Sequence, residues 1–230
     1  MRILAIDTAL EACSVVLMDG ETILARELQT MARGHAEALM PMIERLRETA
    51  ALDFATLDRI AVTVGPGSFT GLRVGIAAAR GMGLATGKPV LGITTLAAFA
   101  APLVAAGGTS PAVAVIDARH NHVFLQAVDG NGATLIGPGF MSIKDAVQRI
   151  APLAPRLIGN AASVLAAAWP ADAPPPVAID QQAAPLIEWV ARLGAVSDPE
   201  SAPPKPYYLK PPDAQPQAAA HIERQDAARP

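Results

Sequence analysis

Residues 2–20 read RILAIDTALEACSVVLMDG, and residues 112–130 read AVAVIDARHNHVFLQAVDG. Each stretch has an apolar run that ends in Ile-Asp, then a polar break, a second apolar run and a closing Asp-Gly. Four positions recur at a constant offset of 110 residues, so that Ile6, Asp7, Asp19 and Gly20 return as Ile116, Asp117, Asp129 and Gly130. A pattern that returns at a fixed offset indicates an internal duplication.

Similar segments follow each copy in the same order: a third extended run (21–30 and 133–140), an amphipathic stretch (34–50 and 142–151) and a short apolar run that ends in glycine (59–65 and 156–159). A helix, a strand and a last helix then complete each half. Asp-Gly turns join antiparallel strands, and helical crossovers join parallel ones. Both halves therefore predict the order βββαβαβα, and we expect two tandem α/β domains with mixed sheets.

The predicted domains cover residues 1–106 and, for the smaller second domain, 107–196. Residues 197–230 form a proline-rich tail that ends without apolar periodicity. Such a segment cannot bury enough apolar surface to offset the entropy lost on ordering it, so we expect it to be largely disordered. The exception is PYYLK (206–210), whose aromatic residues could tether the tail to the body of the protein.

Composition limits the classes of function. The 230 residues are 51% hydrophobic, and 18 Lys and Arg stand against 21 Asp and Glu, so there is no overall basic surplus that would hold RNA unaided. Cys13 is the single cysteine, which excludes an intramolecular disulfide and a cysteine-based zinc site and favours a cytoplasmic location. The longest uncharged run, 89–116, is interrupted by prolines and glycines, so no membrane span is expected.

Glycine-rich residues 65–75 read GPGSFTGLRVG and raise the question of a phosphate site. A P-loop requires lysine after its last glycine, but Leu72 follows Gly71. A dinucleotide site requires GxGxxG and a later acidic residue, but the spacing is GxGxxxG and no Asp or Glu occurs between Asp58 and Asp117. The remaining hypothesis is an anion held by backbone N–H groups at the start of the next helix, at Gly67, Ser68, Phe69 and Thr70.

The helix predicted from Thr70 has a stripe of Gly71, Gly75, Ala78 and Met82, opposite a stripe of Arg73, Ala77, Arg80 and Leu84. Each glycine inside a helix costs about 1 kcal/mol relative to alanine, so close approach by another element must offset this cost. Two interpretations stay open: the stripe packs on the domain's own sheet, or it meets another subunit. The second interpretation, with the side of the preceding helix (33–50), defines a partner interface of Ala36, Met40, Ile43, Gly71, Val74, Gly75, Ala78 and Met82.

Five segments together resemble the TsaB family, formerly called YeaZ: ILAIDTA, HAEALMPMI, GPGSFTGLRVGIAAARGMGLATGKPVLGITTL, VIDAR and PYYLK. The resemblance extends over most of residues 1–210, and GPGSFTGLR is its specific motif. It implies the duplicated actin-like fold, also called ASKHA or RNase H-like, that the internal repeat indicates independently. It also implies a degenerate relative of the TsaD enzyme with no catalytic residues of its own.

The same resemblance implies a role in forming threonylcarbamoyladenosine at position 37 of tRNA. In that process TsaD performs the transfer, TsaE supplies an ATPase, and a TsaB-like chain is the scaffold that binds TsaD. The implied partners are therefore TsaD and TsaE, with tRNA contacted indirectly. Alone, the protein is expected to form a homodimer, since a bare apolar face rarely stays exposed. No cofactor of its own is implied, although ATP or ADP could sit at a subunit junction.

A metal site is not expected. TsaD-like chains hold their metal with an HxxxH pair after a segment similar to GKPVLG (87–92), and the corresponding positions here are Thr95 and Phe99. Threonine is a poor ligand for a transition metal, and phenylalanine cannot act as a ligand. His120 and His122 could point to one side of a strand, but without a third ligand we expect a structural or surface role for them.

Two carboxylates remain as candidates. The resemblance places Asp7 and Asp117 at the ends of the first strands of the two halves, facing a cleft between the domains. In kinases of this fold such carboxylates hold a metal-bound water near the phosphates. Thr8-Ala9 and Ala118-Arg119 follow them where active relatives have glycine, so we expect a vestigial cleft.

Other functions stay open from the sequence. The main alternative to a scaffold is an active ATP-dependent phosphotransferase or ATPase of the same fold. A third hypothesis is direct contact with tRNA through Arg73, Arg80 and Lys88, which could contribute within a complex.

Overall fold

A computed structural model describes residues 1–210, and residues 211–230 lie outside the described part. The strands are β1 (Arg2–Leu10), β2 (Ala12–Asp19), β3 (Thr22–Thr30), β4 (Arg59–Gly65), β5 (Val90–Thr94), β6 (Ala112–Asp117), β7 (His122–Val128), β8 (Thr134–Ser142), β9 (Arg156–Gly159) and β10 (Ala178–Gln181). The helices are α1 (His35–Ala50), α2 (Phe69–Thr86), α3 (Thr95–Ala105), α4 (Ile143–Ile150), α5 (Ala162–Ala167) and α6 (Ile187–Val196). Within residues 1–210, no helix has both the length and the apolar character needed to cross a bilayer.

The strands form two five-stranded sheets of the same design. The first has the order β3-β2-β1-β4-β5, and the second, read from its opposite edge, has the order β8-β7-β6-β9-β10. In each sheet the first three strands of the half are antiparallel, and the fourth and fifth join in parallel. The predicted fold class, two tandem actin-like domains with mixed sheets and the order βββαβαβα, is therefore confirmed.

Central strand β1 is buried from Ile3 to Leu10, as expected for a strand that helices cover on both faces. Helices α1 and α2 pack near one face of this sheet, and α6 contacts β1 and β4. Gly20 lies in the turn between β2 and β3 and has a φ of +56°. Its N–H donates to the Met1 carbonyl. The Asp-Gly turn signal of the repeat is thus used as the sequence predicted.

The two halves exchange their last helices. α3 follows the first sheet in sequence and keeps contacts with its β4 and β5, but it also packs on β6, β7 and β9 of the second sheet. α6 follows the second sheet and packs on the first. Gly194 of α6 lies against Ala61 of β4, where an added Cβ would be 2.6 Å from the Ala61 Cβ. Arg59 donates to the Gly194 and Ser197 carbonyl oxygens at 3.1 and 2.7 Å and so binds the carboxyl end of α6.

This exchange connects the two domains predicted from the sequence. Residues 1–106 and 107–196 separate the sheets but not the packing units, because one core cluster contains Leu4 and Ile60 of the first sheet, Phe99 of α3, and Ala114 and Ile116 of the second sheet. Domains defined as continuous stretches of sequence do not describe this packing, because α3 and α6 each pack on the sheet of the other half.

The tail prediction needs correction in part. Residues 198–210 follow α6 back to the first sheet, where the Gly92 N–H donates to the Ala202 carbonyl at 2.9 Å and the Tyr207 N–H donates to the Val64 carbonyl at 2.7 Å. Disorder was expected for 197–205, but the backbone contact of Ala202 holds this part of the segment. Residues 206–210, expected to tether the tail, do contact the body, and Leu209 packs on the core. The expectation of disorder for 211–230 lies outside the described residues.

Candidate interdomain cleft and partner surface

A cleft of about 1180 Å³ lies between the two sheets. The loops that follow β1 and β6 reach it with Glu11 and Arg119, and the start of α2 contributes Ser68 and Phe69. Asn160 and Gln181 line it from the carboxyl ends of β9 and β10, and residues 207–210 close one side. The equivalent ends of the two sheets thus face each other, as the duplication predicts.

Asp7 does not reach this cleft. Its side chain is fully buried, and Oδ1 accepts hydrogen bonds from the Thr63 hydroxyl at 2.5 Å and from the Ala9 N–H at 3.0 Å. Its Oδ2 is also buried and has no hydrogen-bond partner among the described residues. Burial raises the pKa of the Asp7 carboxyl, and the hydrogen bond from Thr63 opposes this only in part. The prediction that Asp7 faces the cleft is wrong, because Thr63 on the neighbouring strand holds the carboxyl inside the sheet.

Asp117 does line the cleft and is exposed. Its Oδ1 accepts the Arg119 N–H at 2.8 Å, and its own N–H donates to the Asn160 side-chain oxygen at 2.8 Å. Arg119 reaches across to Glu11 of the first half, with 3.3 Å between the guanidinium nitrogen and the carboxylate oxygen. The two predicted carboxylates therefore stand in different environments and do not form a pair.

The loop after β6 also contains the predicted histidines. Arg119, His120 and Asn121 all have positive φ, which forms a tight turn. His122 Nδ1 lies 2.7 Å from the His120 carbonyl oxygen, and the His122 ring stacks on Phe140 at 4.8 Å. Among residues 1–210 there is no group of three or more metal-ligating side chains. The His122 ring is thus engaged in local contacts, one of them with the His120 backbone carbonyl.

The start of α2 is occupied by the chain itself. The Ser68 N–H donates to the Ala9 carbonyl at 2.7 Å, and the Ser68 hydroxyl caps the helix by accepting the Gly71 N–H at 3.2 Å. Gly67 lies so close to the Ala9 carbonyl that an added Cβ would collide with it. Phe69 is covered by the Arg73 guanidinium, which lies 3.8 Å from the ring centre. Of the candidate anion loop, Gly67 to Thr70, the Ser68 N–H is therefore already satisfied, as is the N–H of Gly71 that follows the loop.

Three of the four glycines of α2 make close contacts inside the chain. An added Cβ at Gly71 would meet the Thr8 carbonyl, one at Gly75 would meet the Thr8 hydroxyl, and one at Gly83 would meet Val90. Thr8 also donates its hydroxyl proton to the Gly71 carbonyl at 2.7 Å. The interpretation that the stripe packs on the domain's own sheet therefore explains these glycines.

Gly81 is different, because an added Cβ there would meet nothing within 4 Å. It is exposed, as are Ala77 and Leu84 on the same helix, and the Leu84 side chain is 88% exposed. Met40 on α1 is exposed as well, and α1 contacts α2. We define the α1–α2 surface as exposed Ala36, Met40, Ala77, Gly81 and Leu84, with half-buried Val74 and Ala78.

The interface predicted from the sequence is thus corrected residue by residue. Gly71, Gly75 and Met82 are buried where α2 packs on β1 and β4, and Ile43 is buried where α1 packs on β2 and β3. These four residues are therefore not accessible to a partner in this structure. Ala36, Met40, Val74 and Ala78 remain on the accessible side. Gly81 and Leu84 were not among the predicted interface residues, although both are exposed.

The positions that correspond to the HxxxH pair lie in the core. Thr95 and Phe99 are both fully buried at the start of α3, and Phe99 joins the shared core cluster. The Thr95 hydroxyl has no hydrogen-bond partner within the described part of the chain. Neither side chain reaches the cleft, so these two residues cannot bind a metal ion there.

Two duplicated mixed sheets around an interdomain cleft define the actin-like class of α/β proteins. Comparison with known proteins narrows this class. The family model described as TsaD, tRNA N6-adenosine threonylcarbamoyltransferase, matches residues 23–179. The chain is 39% identical over 124 residues to the tRNA threonylcarbamoyladenosine biosynthesis protein TsaB of Escherichia coli, a match that covers 54% of this chain and 53% of that protein.

A tRNA N6-adenosine threonylcarbamoyltransferase of Tropheryma whipplei is 36% identical over 132 residues, which cover 51% of this chain and 33% of the relative. The solved structure of YeaZ from Pseudomonas aeruginosa superposes with a TM-score of 0.74 at 27% identity, over 90% of this chain and 99% of that one. The chain spans about half the length of the curated TsaB relatives it matches. It belongs to the TsaD family, and within it to the TsaB (YeaZ) group, as the sequence motifs indicated.

Proposed function

We propose that this protein is a non-catalytic scaffold subunit in the formation of threonylcarbamoyladenosine at position 37 of tRNA. It binds and supports the TsaD transferase together with the TsaE ATPase, and it contacts tRNA indirectly. The names of the TsaB relatives, at 38–39% identity, support the pathway. The absence of cysteine other than buried Cys13 favours a cytoplasmic location for this work.

The observation that carries the proposal is Gly81 on the α1–α2 surface. Glycine in a helix interior costs about 1 kcal/mol relative to alanine, and at Gly71, Gly75 and Gly83 contacts within the chain explain the glycine. At Gly81 they do not, which supports a second polypeptide that approaches the helix backbone there. Exposed Met40 and Leu84 supply apolar area for such a contact.

A non-catalytic role is supported by the state of the cleft. The carboxyl of Asp7 is sealed inside the sheet, and the first N–H groups near the α2 cap are donated to the chain's own acceptors. The positions of the metal-binding pair hold Thr95 and Phe99 in the core. Each of these features removes a group that phosphoryl or carbamoyl transfer would need in the cleft.

The test compares two substitutions at one position. Gly81→Arg places a long cation on the α1–α2 surface without a clash in its own chain, so we expect it to weaken binding to the TsaD subunit of the same cell at least tenfold, the factor that corresponds to about 1.4 kcal/mol. Titration calorimetry measures the affinity, and the threonylcarbamoyladenosine content of tRNA from a complemented deletion strain reports the function.

Gly81→Ala is the graded comparison: it adds a single methyl group where we infer that the partner approaches the backbone, so it should weaken binding less than Gly81→Arg does. Sedimentation of the free protein should show a homodimer that Gly81→Arg converts to monomer, since the same surface is bare when no partner is present. A folded Gly81→Arg protein that binds the transferase with unchanged affinity would rule out this surface as the interface.

The alternative function is an ATP-dependent phosphotransferase or ATPase. The observation in its favour is the open cleft of about 1180 Å³ with exposed Asp117 and Ser68 on opposite sides. Calorimetry with ATP and magnesium on the purified protein separates the two functions. Micromolar binding with turnover that Asp117→Ala abolishes would establish the enzyme, and binding seen only in the presence of TsaD would place the nucleotide at the subunit junction.

A further inference from the structure

The segment that follows α6 crosses the molecule in an extended path. We call residues 198–210 the strap. Its backbone joins two neighbouring strands of the first sheet: the Ala202 carbonyl accepts the Gly92 N–H of β5 at 2.9 Å, and the Tyr207 N–H donates to the Val64 carbonyl of β4 at 2.7 Å. The strap is thus held by main-chain hydrogen bonds that do not depend on its side chains.

The first sheet contains two glycines at the points where the strap passes. An added Cβ at Gly92 would stand 2.6 Å from the Pro203 carbonyl oxygen, and one at Gly65 would stand 2.8 Å from the Tyr207 carbonyl oxygen. Carbon and oxygen atoms do not pack this closely, so a side chain at either position would displace the strap. Gly65, the opening glycine of the GPGSFTGLR motif, also has a φ of +114°, so its backbone conformation and the nearby strap both favour glycine there.

The end of the strap touches both walls of the cleft. On the first-domain wall the Tyr208 ring stacks on Phe69 with 5.5 Å between ring centres, and its hydroxyl accepts from Arg73 at 3.4 Å. Two residues later, the Lys210 ammonium lies 5.9 Å from the ring centre of Phe140 on β8 of the second sheet. Leu209 between them packs against the core cluster.

We propose that the strap is an interdomain clamp that fixes the width of the cleft, with Gly65 and Gly92 as its seats on the first sheet. The exposed ion pair of Arg119 and Glu11 also crosses the cleft, but water and salt screen such pairs, so it contributes little. The main-chain hydrogen bonds and the stacked rings of Tyr208 and Phe69 hold the strap on the first domain, and the Lys210 ammonium reaches the Phe140 ring of the second.

The experiment measures the cleft in the full chain and needs no partner, so its outcome is independent of the proposed scaffold role. Spin labels are placed on cysteines introduced at exposed Thr49 on α1 and exposed Gln148 on α4. Native Cys13 does not compete for the label, because it is buried, and burial and the charge of Asp7 raise its thiol pKa to about 11. Hydrogen exchange of the Gly92 amide reports whether the strap is seated.

The test variant carries Tyr207→Pro, which removes the N–H donor, and Tyr208→Ala, which removes the ring. We expect the Gly92 amide to exchange about tenfold faster and the distance distribution between the labels to broaden, with no loss of helix content. Lys205→Ala, an exposed change on the same strap, is the control and should match the parent in both measurements. An unchanged distance distribution with a released Gly92 amide would overturn the proposal, and so would a Gly92 amide that stays protected in the test variant.

Discussion

Asp7 keeps its position in the internal repeat but lacks the solvent exposure of the equivalent residue in the second half. It occupies the same position in the first half as Asp117 in the second, yet it is fully buried and Asp117 is exposed. The hydroxyl of Thr63 and the N–H of Ala9 hold one carboxylate oxygen, and the other is left without a partner among the described residues. Burial of the carboxyl with one oxygen unpaired destabilises its ionised form.

Substitution of Asp7 tests this state. Because the folded-state pKa is raised, the unfolded chain loses its proton at a lower pH than the folded one, so the free energy of unfolding falls as pH rises from the unfolded pKa to the folded pKa. Asp7→Asn keeps the acceptor for Thr63 and removes the charge. We expect it to raise the melting temperature at pH 7 by a few degrees, at about 2–4 °C per kcal/mol, and to differ little from the parent near about pH 3.

Asp7→Ala is the comparison, because it removes the charge but leaves the Thr63 hydroxyl and the Ala9 N–H without their acceptor, and it should not share the gain. Differential scanning calorimetry across this pH range measures all three proteins. A parent that is more stable than Asp7→Asn at pH 7 would show that the carboxylate is compensated in the folded state.

At the scale of one element, α2 has two kinds of glycine that look alike in the sequence. Gly71 and Gly75 let β1 approach through Thr8, whereas Gly81 meets no atom of its own chain. The first kind is a requirement of folding. The second kind is a cost to folding that a partner can offset, which is why the α1–α2 surface is the proposed interface.

Alanine substitutions distinguish the two kinds by sign. Gly81→Ala should raise the free energy of unfolding of the isolated protein by about 0.5–1 kcal/mol, because it lowers the entropy of the unfolded chain and favours the helix. Gly71→Ala should lower it by about 1–3 kcal/mol, because the new Cβ collides with the Thr8 carbonyl. Urea unfolding followed by circular dichroism measures both, and equal effects of the same sign would contradict the assignment.

At the scale of the whole molecule, the exchange of α3 and α6 makes the two domains parts of one packing unit. The core cluster includes side chains from both sheets, and α6 is tied to the first sheet by Arg59 and by an ion pair of 3.2 Å between Arg26 and Glu188. The strap adds a further connection in the same direction. Displacement of α3 or α6 would therefore expose core residues of the sheet on which that helix packs.

This packing predicts cooperative unfolding. We expect a single calorimetric transition whose van't Hoff enthalpy equals the calorimetric enthalpy, as for a single domain. Arg59→Ala should lower the transition temperature without splitting the transition, since it loosens the carboxyl end of α6 while α3 still joins the sheets. Two resolved transitions in the parent protein would show that the domains are energetically separate.

Local patterns in the sequence were sufficient for the order of elements, the duplication and the family. Alternating apolar runs, Asp-Gly turns and the GPGSFTGLR motif depend on neighbours within a few residues, so they can be recognised without coordinates. The same reasoning identified Asp7, Asp117, Gly71 and Gly75 as candidates, but it did not identify Glu11 of the cleft or Gly81 of α2.

Tertiary structure decided which of these candidates are accessible. The Thr8 hydroxyl that covers Gly71 comes from 63 residues away, and the Thr63 hydroxyl that encloses Asp7 comes from 56 residues away. The exchange of α3 and α6 and the course of the strap are equally long-range. Burial is a property of the packed molecule, because it depends on groups that are distant in sequence. Such groups produce no periodic pattern in the sequence around the residue that they cover.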